Sequence, residues 1–173
     1  MLTRMMGAAW LRPGTYEDVE ADRSATGQAL VVVLLASLAA GVGLPADRIA
    51  ATPLALGTVG ALIGWAAWAV LTYLIGTHVL PGPNTRADVG ELLRTTGFAQ
   101  APGILRVLGA IPGLTVIAWT VASLWMLVAT VVAVRQALDY TSTGRALAVC
   151  VTGWILSLLF AVGIGLIAGP EVS

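Results

Sequence analysis

The chain contains no lysine, one histidine and one cysteine among its 173 residues. Without lysine, neither a Walker-type phosphate loop nor a Schiff-base amine is available. One histidine and one cysteine cannot build a zinc set, no HExxH occurs, and Cys150 has no partner for an intrachain disulfide. A serine nucleophile would have only His78 as an imidazole base, and no G-x-S-x-G elbow is present. Charge is also sparse. Charged residues make up 10% of the chain and the formal net charge is zero, against about 25% charged in an ordinary soluble domain. That balance offers no footprint for nucleic acid. The expectation is a non-enzymatic protein with no cofactor and no catalytic, cofactor-binding or metal-binding residues.

What is present is apolar mass. Hydrophobic residues reach 58% and the mean hydropathy is +0.90. Ser24–Ala46, Ile49–Thr85, Val107–Val134 and Ala146–Pro170 carry no Asp, Glu or Arg, with a shorter gap at Thr95–Leu105. Most of these exceed the roughly 20 apolar residues that a bilayer-spanning helix needs. The sequence therefore reads as an all-α integral membrane bundle of five transmembrane helices. A cytoplasmic segment at 1–26 precedes a membrane domain at 27–170, with spans at about 29–44, 54–79, 92–111, 114–134 and 146–168. Leu2, Met5, Met6, Ala9 and Trp10 recur at helical spacing, which suits an amphipathic helix lying in the membrane interface. Pro13-Gly14 breaks it, and Thr15 reads as the N-cap of an acidic first turn.

The third span is the weak one. Its six large apolar residues contribute ~−3 kcal/mol on an insertion scale, while a central Arg106 opposes with roughly +2.5 to +3.5. Pro102 and Gly103 add a kink. Neighbouring helices hold such a segment in place, with Arg106 snorkelling or pairing inside the bundle. A re-entrant segment is the alternative to a full crossing, and the arginines favour the crossing. With five spans, one side receives Arg4, Arg12, Arg23, Arg86, Arg94, Arg135 and Arg145, and the other Arg48 and Arg106. This bias puts the N-terminus in the cytoplasm and the C-terminus outside the inner membrane.

The apolar spans hold no acidic residue, which argues against transport coupled through buried carboxylates. Gly60/Gly64 and Gly165/Gly169 are small-residue pairs at four-residue spacing, fit for helix packing within the chain or for a homo-oligomer. Asp88 and Glu91 suit a capping box, with Arg94 one turn further on. Arg135 and Asp139 read as an i,i+4 pair, and Arg145 opens the last span. Glu91, Arg94, Arg135, Asp139 and Arg145 would then share a cytoplasmic face with the acidic leader Glu17, Asp18, Glu20 and Asp22. That face reads either as a docking surface for a protein partner or as solvated caps and anchors.

The stretch from Glu91-Leu-Leu-Arg94 through Gly97-Phe98-Ala99-Gln100-Ala101-Pro102, the fourth span with Trp125, and Ala137-Leu-Asp139-Tyr140 through Arg145-Ala146 resemble the Yip family. So does Arg12-Pro13-Gly14-Thr15-Tyr16 ahead of the first span. The resemblance covers nearly the whole chain and implies five spans with a cytoplasmic N-terminus. Eukaryotic members bind Rab/Ypt GTPases in vesicle traffic at the endoplasmic reticulum and Golgi. This chain departs from them by lacking a long polar N-terminal extension, and its arginine- and alanine-rich composition is that of a bacterial-type member. The Rab activity is therefore not carried over. The resemblance implies a membrane scaffold that recruits or organises partners through its cytoplasmic loops and contacts the lipid bilayer. The alternative is a small transporter or channel for a lipid or apolar solute, built on Gln100, Pro102 and Arg106 in the kinked third span.

Overall fold

The computed structural model describes residues 1–44 and 51–168, and the side-chain surroundings of all these except 51–53 and 164–168. It is helical throughout, with no strand among the described residues. The elements are α1 (Leu2–Ala9), α2 (Pro13–Ala21), α3 (Ala25–Val42), α4 (Ala51–Leu74) closed by a π-turn at Ile75–Val79, α5 (Val89–Phe98), a 3₁₀ segment at Ala101–Ala110, α6 (Thr115–Ala137) and α7 (Thr143–Ala168). Four stretches are long and apolar enough to cross a membrane: Ala25–Val42, Leu54–Val79, Thr115–Ala137 and Thr143–Gly163.

The bundle is packed from small side chains and faced with large ones. Ala29, Ala36, Ala122, Ala129, Ala133 and Ala137 are buried, while Leu56, Ile63, Val116, Leu124, Leu158 and Phe160 are exposed. In water so much outward apolar area would be untenable. In a bilayer small interfaces let helix backbones approach, and lipid covers the rest. Two buried clusters hold the elements together. Tyr16, Val19, Phe98, Ala99 and Ala129 join α2, α5 and α6, while Ile75, Leu92, Leu138, Tyr140 and Cys150 join the π-turn to α5, α6 and α7. Cys150 is a fully buried packing residue.

The N-terminal helices form a hairpin. Arg4 on α1 bridges to Asp22 beyond α2 at 2.8 Å, and the Tyr16 hydroxyl donates to the Ala8 carbonyl at 3.0 Å. Trp125 of α6 donates its indole N–H to the Ala9 carbonyl at 2.7 Å, hanging the hairpin turn on α6. Leu2, Met6 and Trp10 are exposed on one side of α1, while Met5, grouped with them by the sequence spacing, is buried with Ala8 on the other. The second helix begins earlier than expected. Arg12 is its N-cap and Pro13 its first residue, so Thr15 caps nothing. A proline at N1 loses no intrahelical bond and has a helical φ already set.

The segment expected as one helix over 92–111 is two elements. Pro102 has no N–H to offer the ladder, and the chain switches to i→i+3 bonding as Gln100 N–H meets Gly97 O at 3.1 Å and Gly103 N–H meets Gln100 O at 2.8 Å. At about 2.0 Å of rise per residue, ten 3₁₀ residues reach ~20 Å where α-helix would give ~15 Å. With three residues per turn, Gly103, Arg106 and Gly109 stack along one edge. A Cβ on Gly103 would meet Met126 Sδ at 2.9 Å and Ala36 Cβ at 3.2 Å, so that edge lies between α3 and α6. Gly43, at the end of α3, packs directly on the Arg106 carbonyl, and a side chain there would collide with backbone.

Candidate functional site

One end of the bundle gathers the hairpin, the segment after α4, the start of α5 and the α6–α7 loop. The capping box is formed, with Glu91 N–H donating to Asp88 Oδ1 and Asp88 N–H to Glu91 Oε2, each at 2.8 Å. Arg94 does not complete a charge row with them. It turns under α2, where Nε donates to the carbonyls of Val19 and Glu20 at 3.0 Å each and Nη2 also reaches Glu20 O. Arg145 donates to the Pro81 carbonyl at 2.8 Å and lies over the Tyr140 ring at 5.8 Å. Tyr140 in turn places its hydroxyl 2.6 Å from Leu80 O and 3.0 Å from Gly76 O.

The expected Arg135–Asp139 pair is absent; among the described residues the single ion pair is Arg4–Asp22. The reason is where α6 stops. Asp139 lies beyond the helix with φ 52°, and Tyr140 N–H bonds to Arg135 O while Asp139 N–H bonds to Gln136 O, both at 2.9 Å. This is a Schellman closure with Asp in the left-handed position that glycine usually takes. Past that reversal the i,i+4 geometry no longer exists. Arg135 instead donates to Tyr140 O at 3.2 Å, Thr143 Oγ1 at 3.2 Å and Thr141 O at 3.5 Å.

Arg94, Arg135 and Arg145 are thus occupied largely by main-chain carbonyls. The crevice beside them is lined mainly by carboxylates. Glu17, Glu20, Glu91 and Asp139 line a crevice of about 570 Å³ with Arg135, Gln136 and Thr141. Glu17 is held by Gln136 Nε2 at 2.7 Å. Burial, reinforced by the charges of Glu91 and Asp139 against the pull of Arg94, raises the Glu20 carboxyl to about 7. A group at that value changes charge near neutral pH.

The second concavity lies away from the polar end, between α3, α4, the 3₁₀ segment and α6. Its volume is about 490 Å³, and Gln100 and Arg106 line it with Trp65, Trp119 and Met126. Arg106 donates from Nη2 to Ser123 Oγ at 3.0 Å and its guanidinium lies 4.7 Å from the centre of the Trp119 ring. Pro102 is buried in the first turn of the 3₁₀ segment, just after Gln100. The kinked segment and Arg106 therefore meet in one cavity, apart from the residues of the polar end.

Gly60 and Gly64 are exposed and no described atom lies within 4 Å of a Cβ built on either; Gly64 borders the cavity. The surroundings of Gly165, and Gly169 and Arg48 altogether, lie outside the described residues. His78, in the π-turn, is exposed; its Nδ1 is 2.7 Å from Thr77 Oγ1 and its ring meets Tyr73 edge-on at 6.1 Å. Sequence reasoning missed Ser123, Trp119 and Tyr140 as partners. Ser123 and Trp119, one helical turn apart on α6, were open to detection by asking which polar groups could meet Arg106. The carbonyls that hold Arg94 and Arg145 carry no side-chain signal.

No curated protein and no solved structure matches the chain. The Yip1 domain matches residues 8–165, from the hairpin through most of α7. With all-α architecture, four membrane-length helices and that match over nearly its whole length, the chain is a multi-pass membrane protein belonging to the Yip family.

Proposed function

We propose that the protein is a non-enzymatic bacterial inner-membrane scaffold that recruits a cytoplasmic partner to the carboxylate crevice at its polar end. The observation that carries this reading is the division of labour among charges. Arg94, Arg135 and Arg145 bind carbonyls at chain reversals, so Glu17, Glu20, Glu91 and Asp139 give the crevice its sign. The complementary partner is a basic segment. Electrostatic complementarity of this kind sets partner choice and association rate more than raw affinity.

The topology that goes with it has five spans, N-terminus in the cytoplasm and C-terminus outside. Seven of nine arginines then sit on the cytoplasmic side. Together α5 and the 3₁₀ segment reach ~35 Å, enough for the ~30 Å hydrocarbon core. The open space beside Gly60 supports a second copy of the chain as an additional neighbour of α4, while Gly64 borders the apolar cavity.

The test is photocrosslinking in cells from position 136, beside the crevice, with Glu17→Gln, Glu91→Gln and Asp139→Asn combined. Gln keeps the capping bond and Asn tolerates the left-handed backbone, so the fold is spared. The reading expects a crosslinked partner with a basic segment that disappears in the variant and weakens with salt. A partner retained by the neutralised crevice removes it. Terminal tags probed from each side of the membrane check the topology.

A further inference from the structure

The cavity between α3, α4, the 3₁₀ segment and α6 has features that intrachain packing leaves unexplained. Arg106 is a guanidinium with five N–H donors, of which one meets Ser123. Among the described residues its Nε is buried without a hydrogen-bond partner, and so is the indole nitrogen of Trp119, the ring on which the guanidinium rests. Two orphaned donors at one place, one of them cationic, call for an acceptor with negative charge. Among the described residues no carboxylate lies at this end of the bundle.

The rest of the lining is mainly apolar; its polar members are Gln100 and the hydroxyls of Ser37 and Thr58, which donate to the carbonyls of Leu34 and Leu54 in their own helices. Val33 and Ala40 of α3, Leu54 and Ala61 of α4 and Met126 of α6 wall the space. Its volume of about 490 Å³ falls within the roughly 300–1,000 Å³ of ordinary ligand pockets. From Arg106 the cavity extends six residues back along the 3₁₀ segment to Gln100, a depth of ~12 Å at its rise. Arg106 sits at the level where Gly43 ends α3, close to the helix ends of the bundle. A cationic rim at headgroup level above an apolar slot describes an amphiphile with its head at Arg106 and a chain running inward.

We propose that this cavity binds one acyl chain of an anionic phospholipid, with Arg106 and Trp119 holding the phosphate at its rim. The stacked Gly103–Arg106–Gly109 edge supports this. Its glycines let α3 and α6 close on the 3₁₀ segment, and the arginine is the one long side chain left on that edge. The site is separate from the carboxylate crevice and stands or falls independently of it.

The experiment reconstitutes the full chain in phosphatidylcholine vesicles doped with brominated phosphatidylglycerol and follows quenching of tryptophan emission, with brominated phosphatidylcholine as the reference. Saturable quenching specific to phosphatidylglycerol is expected. Arg106→Gln should weaken it roughly tenfold or more, as for loss of a charge-assisted contact. Arg106→Lys should retain only part, because the ammonium has no planar fork. Ala61→Phe, which fills the slot and leaves Arg106 in place, should abolish the specific signal while the protein stays monodisperse. Inorganic phosphate should not compete.

Equal quenching by both lipids, or quenching unchanged by Arg106→Gln and Ala61→Phe, would overturn the proposal. So would oleate displacing phosphatidylglycerol, which would assign the slot to a fatty acid. Asp47 lies outside the described residues, and the test includes it as a rival partner for Arg106. If Asp47→Asn and Arg106→Gln lower thermal stability alike and neither alters lipid quenching, the arginine serves an ion pair and the proposal fails.

Discussion

Arg94 and Glu20 are coupled twice: the arginine donates to the Glu20 main-chain carbonyl at 3.0 Å, and its charge opposes the burial that raises the Glu20 carboxyl. Through this contact α2 is fastened to α5 by a side chain that is only 5% exposed. Arg94→Ala removes charge-assisted bonds to two carbonyls, worth about 3 kcal/mol or more together. The expected outcome is release of the N-terminal hairpin, seen as faster tryptic cleavage after Arg4 and Arg23 with α6 and α7 still protected. Arg94→Lys should recover less than half of the protection, since an ammonium cannot serve both carbonyls in the same plane.

The Glu20 carboxyl imposes a pH dependence of definite sign. Its value is raised from 4.5 to about 7, so the folded protein holds this proton more tightly than the unfolded chain. Stability from this group is complete below about 4.5 and falls as pH rises towards about 7. Asp22 acts in the opposite sense. Bonds from Ser24 and Arg4 lower it from 3.8 to about 2, so its contribution is present above 3.8 and lost as pH falls towards 2. Glu20→Gln should remove the downward slope between pH 4.5 and 7 and leave the acid limb intact, as read from thermal unfolding across pH.

Close approach at Gly43 gives a packing test with an internal control. A Cβ on Gly43 meets the Arg106 carbonyl, and one on Gly109 meets the Gly43 carbonyl; neither backbone atom can turn aside. Gly43→Ala and Gly109→Ala are each expected to lower stability by about 1–3 kcal/mol. Gly60→Ala should leave the monomer unchanged or slightly stabilised, because nothing lies within reach of its Cβ. Thermal unfolding in detergent compares the three, and a change of oligomeric state confined to Gly60→Ala would identify α4 as a contact between copies.

Asp139 occupies a left-handed backbone position, which costs roughly 1–2 kcal/mol for a residue with a side chain. Asp139→Gly should therefore raise stability by about 1 kcal/mol, and Asp139→Val should lower it, in the same unfolding assay. Asp139→Asn is expected to be close to neutral. It isolates the charge of this residue from its backbone role.

The long spans were legible because uncharged runs of bilayer length admit few structures besides helix. The expected edges at 54 and 114 fall close to the membrane-length stretches Leu54–Val79 and Thr115–Ala137. The capping box at Asp88 and Glu91 was legible for the same local reason, since both partners lie within one turn. Arg135 and Asp139 misled because i,i+4 spacing means adjacency only while a helix continues, and α6 ends at Ala137. Arg94 lies with the other residues of the polar end, but its partners are carbonyls more than 70 residues away, which no periodicity encodes. Pro102 announced a bend. That the next ten residues would keep i→i+3 bonding depends on how Gly43 and Met126 crowd the segment, a tertiary matter.

The 3₁₀ segment also has mechanical meaning. Each of its residues turns about 120° where α-helix turns about 100°. Rewinding Ala101–Ala110 as α-helix would shorten it by ~5 Å, and Arg106, six residues from Gln100, would swing by roughly 120°. The guanidinium would leave Ser123 and Trp119, and Gly103 and Gly109 would no longer share an edge with it. The segment is therefore a screw whose pitch sets whether Arg106 faces the slot, and its thread is held by the two glycine contacts on α3 and α6.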